Sequence, residues 1–231
     1  MGPIQHRLEY RRHLPHWIPK GKAIFLTWNL KGSLPQHARE AIQTERRRLE
    51  KEPIKKGESQ NARQLRHDRI LFVIADRYFD GASEGPMYLK DCRASKIVVD
   101  SILFGVPERY DLFAFAVMPN HVHVLLLPRL PLKKITQGIK GYTAHAINLL
   151  HAQRGRALWL DESFDHWIRT QDEFLRVIKY IEHNPVKAGL CAAPEQWNSS
   201  SAAWRIRYAW GAGEAFRHEW MLAETNRQRS A

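Results

Sequence analysis

Apolar residues fall along this chain in short blocks with two different periods. KAIFLTWNL (22–30) packs large apolar residues over strand length. YDLFAFAVM (110–118) and HVHVLLLP (121–128) do the same on either side of Pro119-Asn120, a turn dipeptide. The pair predicts a hairpin, with one bent strand as the alternative. Helical spacing governs other blocks. In MYLKDCRASKIVVDSILFG (87–105), Ala94, Ile97, Val98 and Ile102 recur on one face and Gly105 stops the run. In residues 131–153, Ile135, Ile139, Tyr142, Ala146 and Leu149 form the predicted apolar face, with Tyr142 at its centre. In QDEFLRVIKYIEHN (171–184), Phe174, Val177, Ile178 and Ile181 make a buried stripe, and Pro185 is expected to close the helix.

The remaining segments carry weaker patterns. Residues 35–52 hold helix formers without a clear apolar stripe and predict a solvated helix, followed by a polar connection over 53–64. Apolar density returns at 68–86, and 157–170 predicts short extended structure and loop. From about residue 205 the chain turns polar and mixed in charge, the pattern of a flexible tail. The order of strands and helices predicts an α+β fold, an antiparallel sheet with helices packed on one face. The expected organisation is a basic N-terminal arm (1–21), a core (22–190) with a charged excursion at about 35–67, and a C-terminal extension (191–231).

Charge narrows the function classes. Lys and Arg number 36 against 24 Asp and Glu, a net charge of +12, which points to a polyanionic partner, usually nucleic acid. The alternative is charge that only solubilises. No apolar run approaches a membrane span, and the N-terminus has no signal-peptide core. Cys92 and Cys191 are far apart and form no metal spacing, which fits a reducing cytoplasm.

The candidate chemistry begins with two histidines inside the apolar strand. Side chains at i and i+2 share a strand face, so His121 and His123 project together while Val122 and Val124 face the other way. Two imidazoles on one face are a ready pair of metal ligands, although an isolated H-x-H is more often one exposed and one hydrogen-bonded histidine. A third ligand must come from another element. On the last helix, Tyr180 falls roughly 120° off the apolar stripe at 100° per residue. Asn184 stands one turn further along the same flank. Its amide carbonyl suits Mg²⁺ or Mn²⁺, and a helix cap is the competing role. Because Asn184 precedes Pro185, its helical geometry is expected to be approximate.

The ordered set MPNHVHVLLLP, ITQGIKGYTAHAINLL and FDHWIRTQDEFLRVIKYIEHNPVKAGL resembles the REP-associated tyrosine transposases, bacterial relatives of the single-tyrosine transposases in the HUH endonuclease superfamily. RRHLPHW near the start and PEQWNSSSAAW after the last helix are also similar, so the resemblance spans roughly residues 11–204. It implies an RRM/ferredoxin-like sheet bearing the histidine pair. It implies cleavage of single-stranded DNA at repetitive extragenic palindromic hairpins through a 5′-phosphotyrosine. It assigns His121, His123 and Asn184 to the metal and Tyr180 to nucleophilic attack. It further implies a cytoplasmic, nucleoid-associated protein, working as monomer or homodimer. Candidate DNA contacts are Arg11, Arg12, His13, Lys133, Lys140, His166, Arg169 and Lys187, and Trp159 and Trp167 are candidates to stack on unpaired bases. Two rival classes remain. A non-catalytic nucleic-acid-binding module needs the charge but not the histidines or Tyr180. A zinc hydrolase needs a strong third ligand and a general base, and no H-E-x-x-H or cysteine cluster is present.

Overall fold

The computed structural model describes residues 21–80, 85–161 and 163–217. Four strands, β1 (Ile24–Asn29), β2 (Tyr110–Val117), β3 (His121–Pro128) and β4 (Phe164–Trp167), form one sheet in the order β2-β3-β1-β4. All three pairings are antiparallel. Among the described residues six α-helices accompany them: α1 (Gln36–Lys51), α2 (Gln60–Asp80), α3 (Cys92–Leu103), α4 (Leu132–Leu150), α5 (Gln171–Lys187) and α6 (Ser201–Tyr208). A helical crossover before β2, the β2–β3 hairpin and α4 before β4 reproduce the ferredoxin-like order. Pro119-Asn120 forms the hairpin turn, closed by Met118 N–H donating to the His121 carbonyl at 2.9 Å.

Alternation along the strands divides the core into two layers. Leu26, Trp28, Val122, Val124 and Leu126 pack with Ala94, Val98 and Ile102 of α3 and Ile135, Ile139 and Ile147 of α4. This is the expected helical layer. Phe25, Ala114, Ala116 and Leu125 face the opposite way, and α5 covers them through Phe174, Ile178 and Ile181, with Phe72 of α2 alongside. Both faces of the sheet are therefore covered.

Four local expectations need correction. On α4 the buried positions are Ile135, Ile139, Thr143, Ile147 and Asn148, whereas Tyr142 is 61% exposed and Leu149 is exposed. The stripe runs one residue away from the expected one because Thr143 is polar but satisfied: its hydroxyl donates to the Ile139 carbonyl (2.7 Å) and accepts from Trp159 Nε1 (3.0 Å). That bond also places Trp159 in the core, edge-on to Trp28, and not on a base-stacking surface.

Second, α5 does not stop at Pro185. Proline removes one helical donor, but Asn184 and Pro185 are both buried and the helix continues to Lys187. It ends at Gly189, whose φ of +69° suits glycine; Gly189 N–H donates to the Val186 carbonyl and Leu190 N–H to the Pro185 carbonyl, a Schellman closure. Third, the polar connection is shorter than expected. α2 begins at Gln60, runs through the apolar block and brings Leu71, Phe72 and Asp76 onto the core. Fourth, the tail is packed as far as residue 217. Trp210 and Phe216 are each 2% exposed, and Phe216 N–H donates to the Leu112 carbonyl at 2.7 Å. Sparse aromatics give the segment its anchor where average polarity predicts none.

Among the described residues, no helix is long and apolar enough to cross a membrane. Phe216→Ala is expected to cost about 3–5 kcal/mol, the range for truncating a buried aromatic. Tyr142→Ala should stay within about 0.5 kcal/mol, as an exposed position. Urea unfolding of the two variants checks both values, and equal effects would contradict the burial assignment.

Candidate active site

The β1–β3 register aligns Thr27 with His123 and Asn29 with His121, so both histidines lie on the face covered by α5. Each imidazole is 0% exposed. His121 Nδ1 donates to Asn120 Oδ1 at 2.6 Å, which leaves the His121 Nε2 lone pair directed inward. His123 Nδ1 lies 2.7 Å from Thr27 Oγ1, a hydroxyl that can accept or donate. The two Nε2 atoms meet at 3.0 Å. Burial, followed by the neighbouring His123, holds His121 well below the ordinary histidine range. Burial, with the Lys187 charge nearby, brings His123 down to about 3. Both are neutral at neutral pH and can offer nitrogen lone pairs.

α5 supplies the other wall. Tyr180 sits on its flank, half-buried, with its ring 5.6 Å from His123 and 5.8 Å from Phe25. Asn184, one turn on, is 0% exposed and faces His121. Its amide makes a polar contact with His121, but neither the amide oxygen nor the amide nitrogen reaches full hydrogen-bond geometry with any of the described residues. A buried orphan amide is costly unless something else satisfies it.

A further residue comes from α2. Asp76 is 3% exposed and accepts the Tyr180 hydroxyl hydrogen at Oδ2. Its Oδ1 lies 3.5 Å from His123 Nε2. Asp76, His121 and His123 place ligand atoms within 4.8 Å of one another, a group able to hold a metal ion. Spacing supports the fit. Two neighbouring ligands at about 2.1 Å in octahedral geometry stand about 3 Å apart, the separation of the two Nε2 atoms. With the orphaned Asn184 oxygen, the donor set mixes imidazole with hard oxygen.

Asp76 was not singled out from the sequence. It stands in ILFVIAD, where one carboxylate in an apolar helix reads as the solvent-facing position. The only signal was its interruption of a block dense enough to be buried on more than one side.

The other candidate positions divide. Lys187 joins the site, its Nζ 3.4 Å from Asp76 Oδ2 and 5.7 Å above the Tyr180 ring. His166, on β4 beside Phe25, is tied to Glu173 at 2.9 Å. Arg169 is exposed and lies 5.0 Å over the Trp167 ring. Lys133 and Lys140 stand on α4, across the sheet from the histidines; Lys133 is exposed, and Lys140 donates to the Asp161 carbonyl and Ser163 hydroxyl. Arg11, Arg12 and His13 lie outside the described residues.

No curated protein matches the chain. The fold is similar to a solved structure of a REP-associated tyrosine transposase bound to a REP hairpin. The match has 17% sequence identity and a TM-score of 0.51, and covers 91% of this chain and 92% of the other. Residues 105–184 match the family model for IS200-like transposases, a span that contains His121, His123, Tyr180 and Asn184. Residues 105–184 are thus similar to the IS200-like transposases, and the α+β fold of the chain is shared with a REP-associated tyrosine transposase.

Proposed function

We propose that this protein is a divalent-metal-dependent endonuclease and strand transferase for single-stranded DNA beside REP-like hairpins, acting through Tyr180. The observation that carries this reading is the meeting of two elements. One turn of α5 brings Tyr180 and the orphaned Asn184 amide against two buried, neutral imidazoles. A structural core would gain nothing from that combination. A non-catalytic binding module would not need it.

His121, His123 and Asn184 would hold Mg²⁺ or Mn²⁺, which when bound neutralises charge on a phosphate oxygen and leaves phosphorus open to attack. The Tyr180 oxygen forms a bond to phosphorus and the P–O3′ bond breaks. The proton lost by the phenol is balanced by the proton taken up at the departing 3′ oxygen. The product is a 5′-phosphotyrosine with a free 3′-OH, and the bond energy kept in that link allows rejoining without ATP. Exposed Lys133, Arg169 and Lys187 contribute to the basic surface available to the DNA backbone.

Tyr180→Phe is expected to eliminate strand cleavage and the denaturation-resistant protein–DNA adduct, with Tyr142→Phe fully active. The lost hydrogen bond to a carboxylate is worth about 1.5–3 kcal/mol, so circular dichroism should still show a folded chain. Peptide mapping of the adduct decides: a DNA-linked peptide without Tyr180 refutes the reading.

Asn184→Leu separates metal affinity from stability. Removing two buried, unpaired polar atoms should leave the metal-free protein as stable or more so. Saturating Mn²⁺, at about 100 times its wild-type Kd, should stabilise the wild type by about 2.7 kcal/mol and the variant by distinctly less. Thermal unfolding with and without Mn²⁺ measures both, and an equal Mn²⁺ shift in the two proteins would exclude Asn184 as a ligand.

Binding to a single-stranded oligonucleotide should weaken steeply with salt, with a log–log slope of about −0.7 per phosphate contacted. Fluorescence anisotropy across a salt series gives that slope, and a flat response would contradict an electrostatic interface.

A further inference from the structure

Asp76 reaches the site from α2, outside the segment that matches the transposase family. Its two carboxylate oxygens have different surroundings. Oδ2 accepts the Tyr180 hydroxyl hydrogen and stands 3.4 Å from Lys187 Nζ. Oδ1 is buried, lies 3.5 Å from His123 Nε2 and completes no hydrogen bond among the described residues. A carboxylate taken out of water needs compensation at both oxygens, and among the described residues only Oδ2 has close donors. The uncompensated oxygen is turned toward the paired imidazoles, where it shares a 4.8 Å cluster with their nitrogens.

The geometry points to Asp76 as a bridging carboxylate: Oδ1 is an additional ligand to the divalent cation at His121 and His123, and Oδ2 fixes the Tyr180 hydroxyl beside it. This rests on the tyrosine-nuclease reading and deepens it. One rigid side chain then sets the distance between cation and nucleophile. A tyrosine held only by its own ring contacts with Phe25 and His123 has no such reference for its oxygen. The helix pair α1–α2 acquires a definite role, since α2 is the element that delivers the bridge. Phe72 anchors that delivery by stacking on Phe164 at 4.0 Å and meeting Phe25 edge-on at 5.5 Å.

The test uses the full chain with Asp76→Asn, Asp76→Ala and Tyr180→Phe. Mn²⁺ binding is read by isothermal titration calorimetry and by the electron paramagnetic resonance of bound Mn²⁺. Cleavage of a labelled hairpin oligonucleotide with single-stranded flanks is then followed across a Mn²⁺ series. Both Asp76 variants should bind Mn²⁺ at least about tenfold more weakly, while Tyr180→Phe keeps wild-type Mn²⁺ affinity. At saturating Mn²⁺ the maximal cleavage rate of Asp76→Asn should remain at least about tenfold below wild type, because the tyrosine has lost its charged acceptor.

Wild-type Mn²⁺ affinity in Asp76→Asn overturns the bridge. So does full recovery of rate at saturating Mn²⁺, which would make Asp76 an ordinary ligand with no hold on Tyr180. Faster cleavage than wild type would make it an inhibitory latch and also overturns it. Asp76→Asn is near-isosteric and carries the test if Asp76→Ala fails to fold, with thermal unfolding as the check. If the wild type forms no adduct and binds no Mn²⁺, the nuclease reading itself has failed. If it does both and Asp76→Asn matches it, only the bridge has.

Discussion

His121 and His123 are fully buried on a strand whose alternate residues, Val122 and Val124, fill the main core. Strand alternation makes the two facts inseparable. Whatever buries the valines against α3 and α4 also drives both imidazoles into the opposite layer. Burying a polar group without a partner costs about 1–3 kcal/mol, so the surroundings have to supply partners. Asn120, the second residue of the hairpin turn, caps one outer nitrogen, and Thr27, aligned by the β1–β3 register, meets the other. With both outer nitrogens fixed, the rings can only present their Nε2 atoms to each other and to α5. The shape of the site follows from a two-residue turn and one strand pairing.

α5 meets that constraint with a split surface. Phe174, Ile178 and Ile181 seal the apolar part of the layer. Tyr180 and Asn184 occupy the flank where the imidazoles lie. The helix has to remain regular through residue 184 for both to reach the same place, and Pro185 opposes that. The structure resolves the conflict at Gly189, which takes over the closure. A proline in the last turn sacrifices one backbone bond near an end that is already short of donors, and it packs as a buried apolar residue in exchange.

Much of this was legible in the sequence where a single period dominated. The hairpin, the shared face of His121 and His123, and the position of Tyr180 off the α5 stripe all follow from periods of 2 and 3.6. Legibility failed where the burial of a residue depends on a partner far along the chain. Thr143 is a core residue because Trp159 donates to it, and without that bond the stripe through Tyr142 was the better pattern. Trp210 and Phe216 are buried because β2 offers them an edge and a neighbouring core. Asp76 is the extreme case. Its partners Tyr180 and Lys187 are 104 and 111 positions away, and no local pattern distinguishes it from a solvent-facing carboxylate.

The electrostatic setting of Asp76 also links α2 to the rest. The chain is strongly basic, yet the site concentrates neutral and acidic groups: two uncharged imidazoles, an amide, a phenol and one buried carboxylate. A single Lys187 ammonium, half-exposed and 3.4 Å away, is weak compensation for that carboxylate because solvent screens it. On the proposed reading a divalent cation completes the balance and also turns a basic outer surface and a donor-rich interior to one use. The surface gathers the DNA backbone, and the interior keeps a cation where one phosphate is to be cut. A lysine or arginine in place of Asp76 would satisfy the packing of α2 no better and would repel the cation. A neutral residue there would leave the Tyr180 hydroxyl with no charged acceptor. The identity of one side chain on α2 is thus constrained by both halves of the site at once.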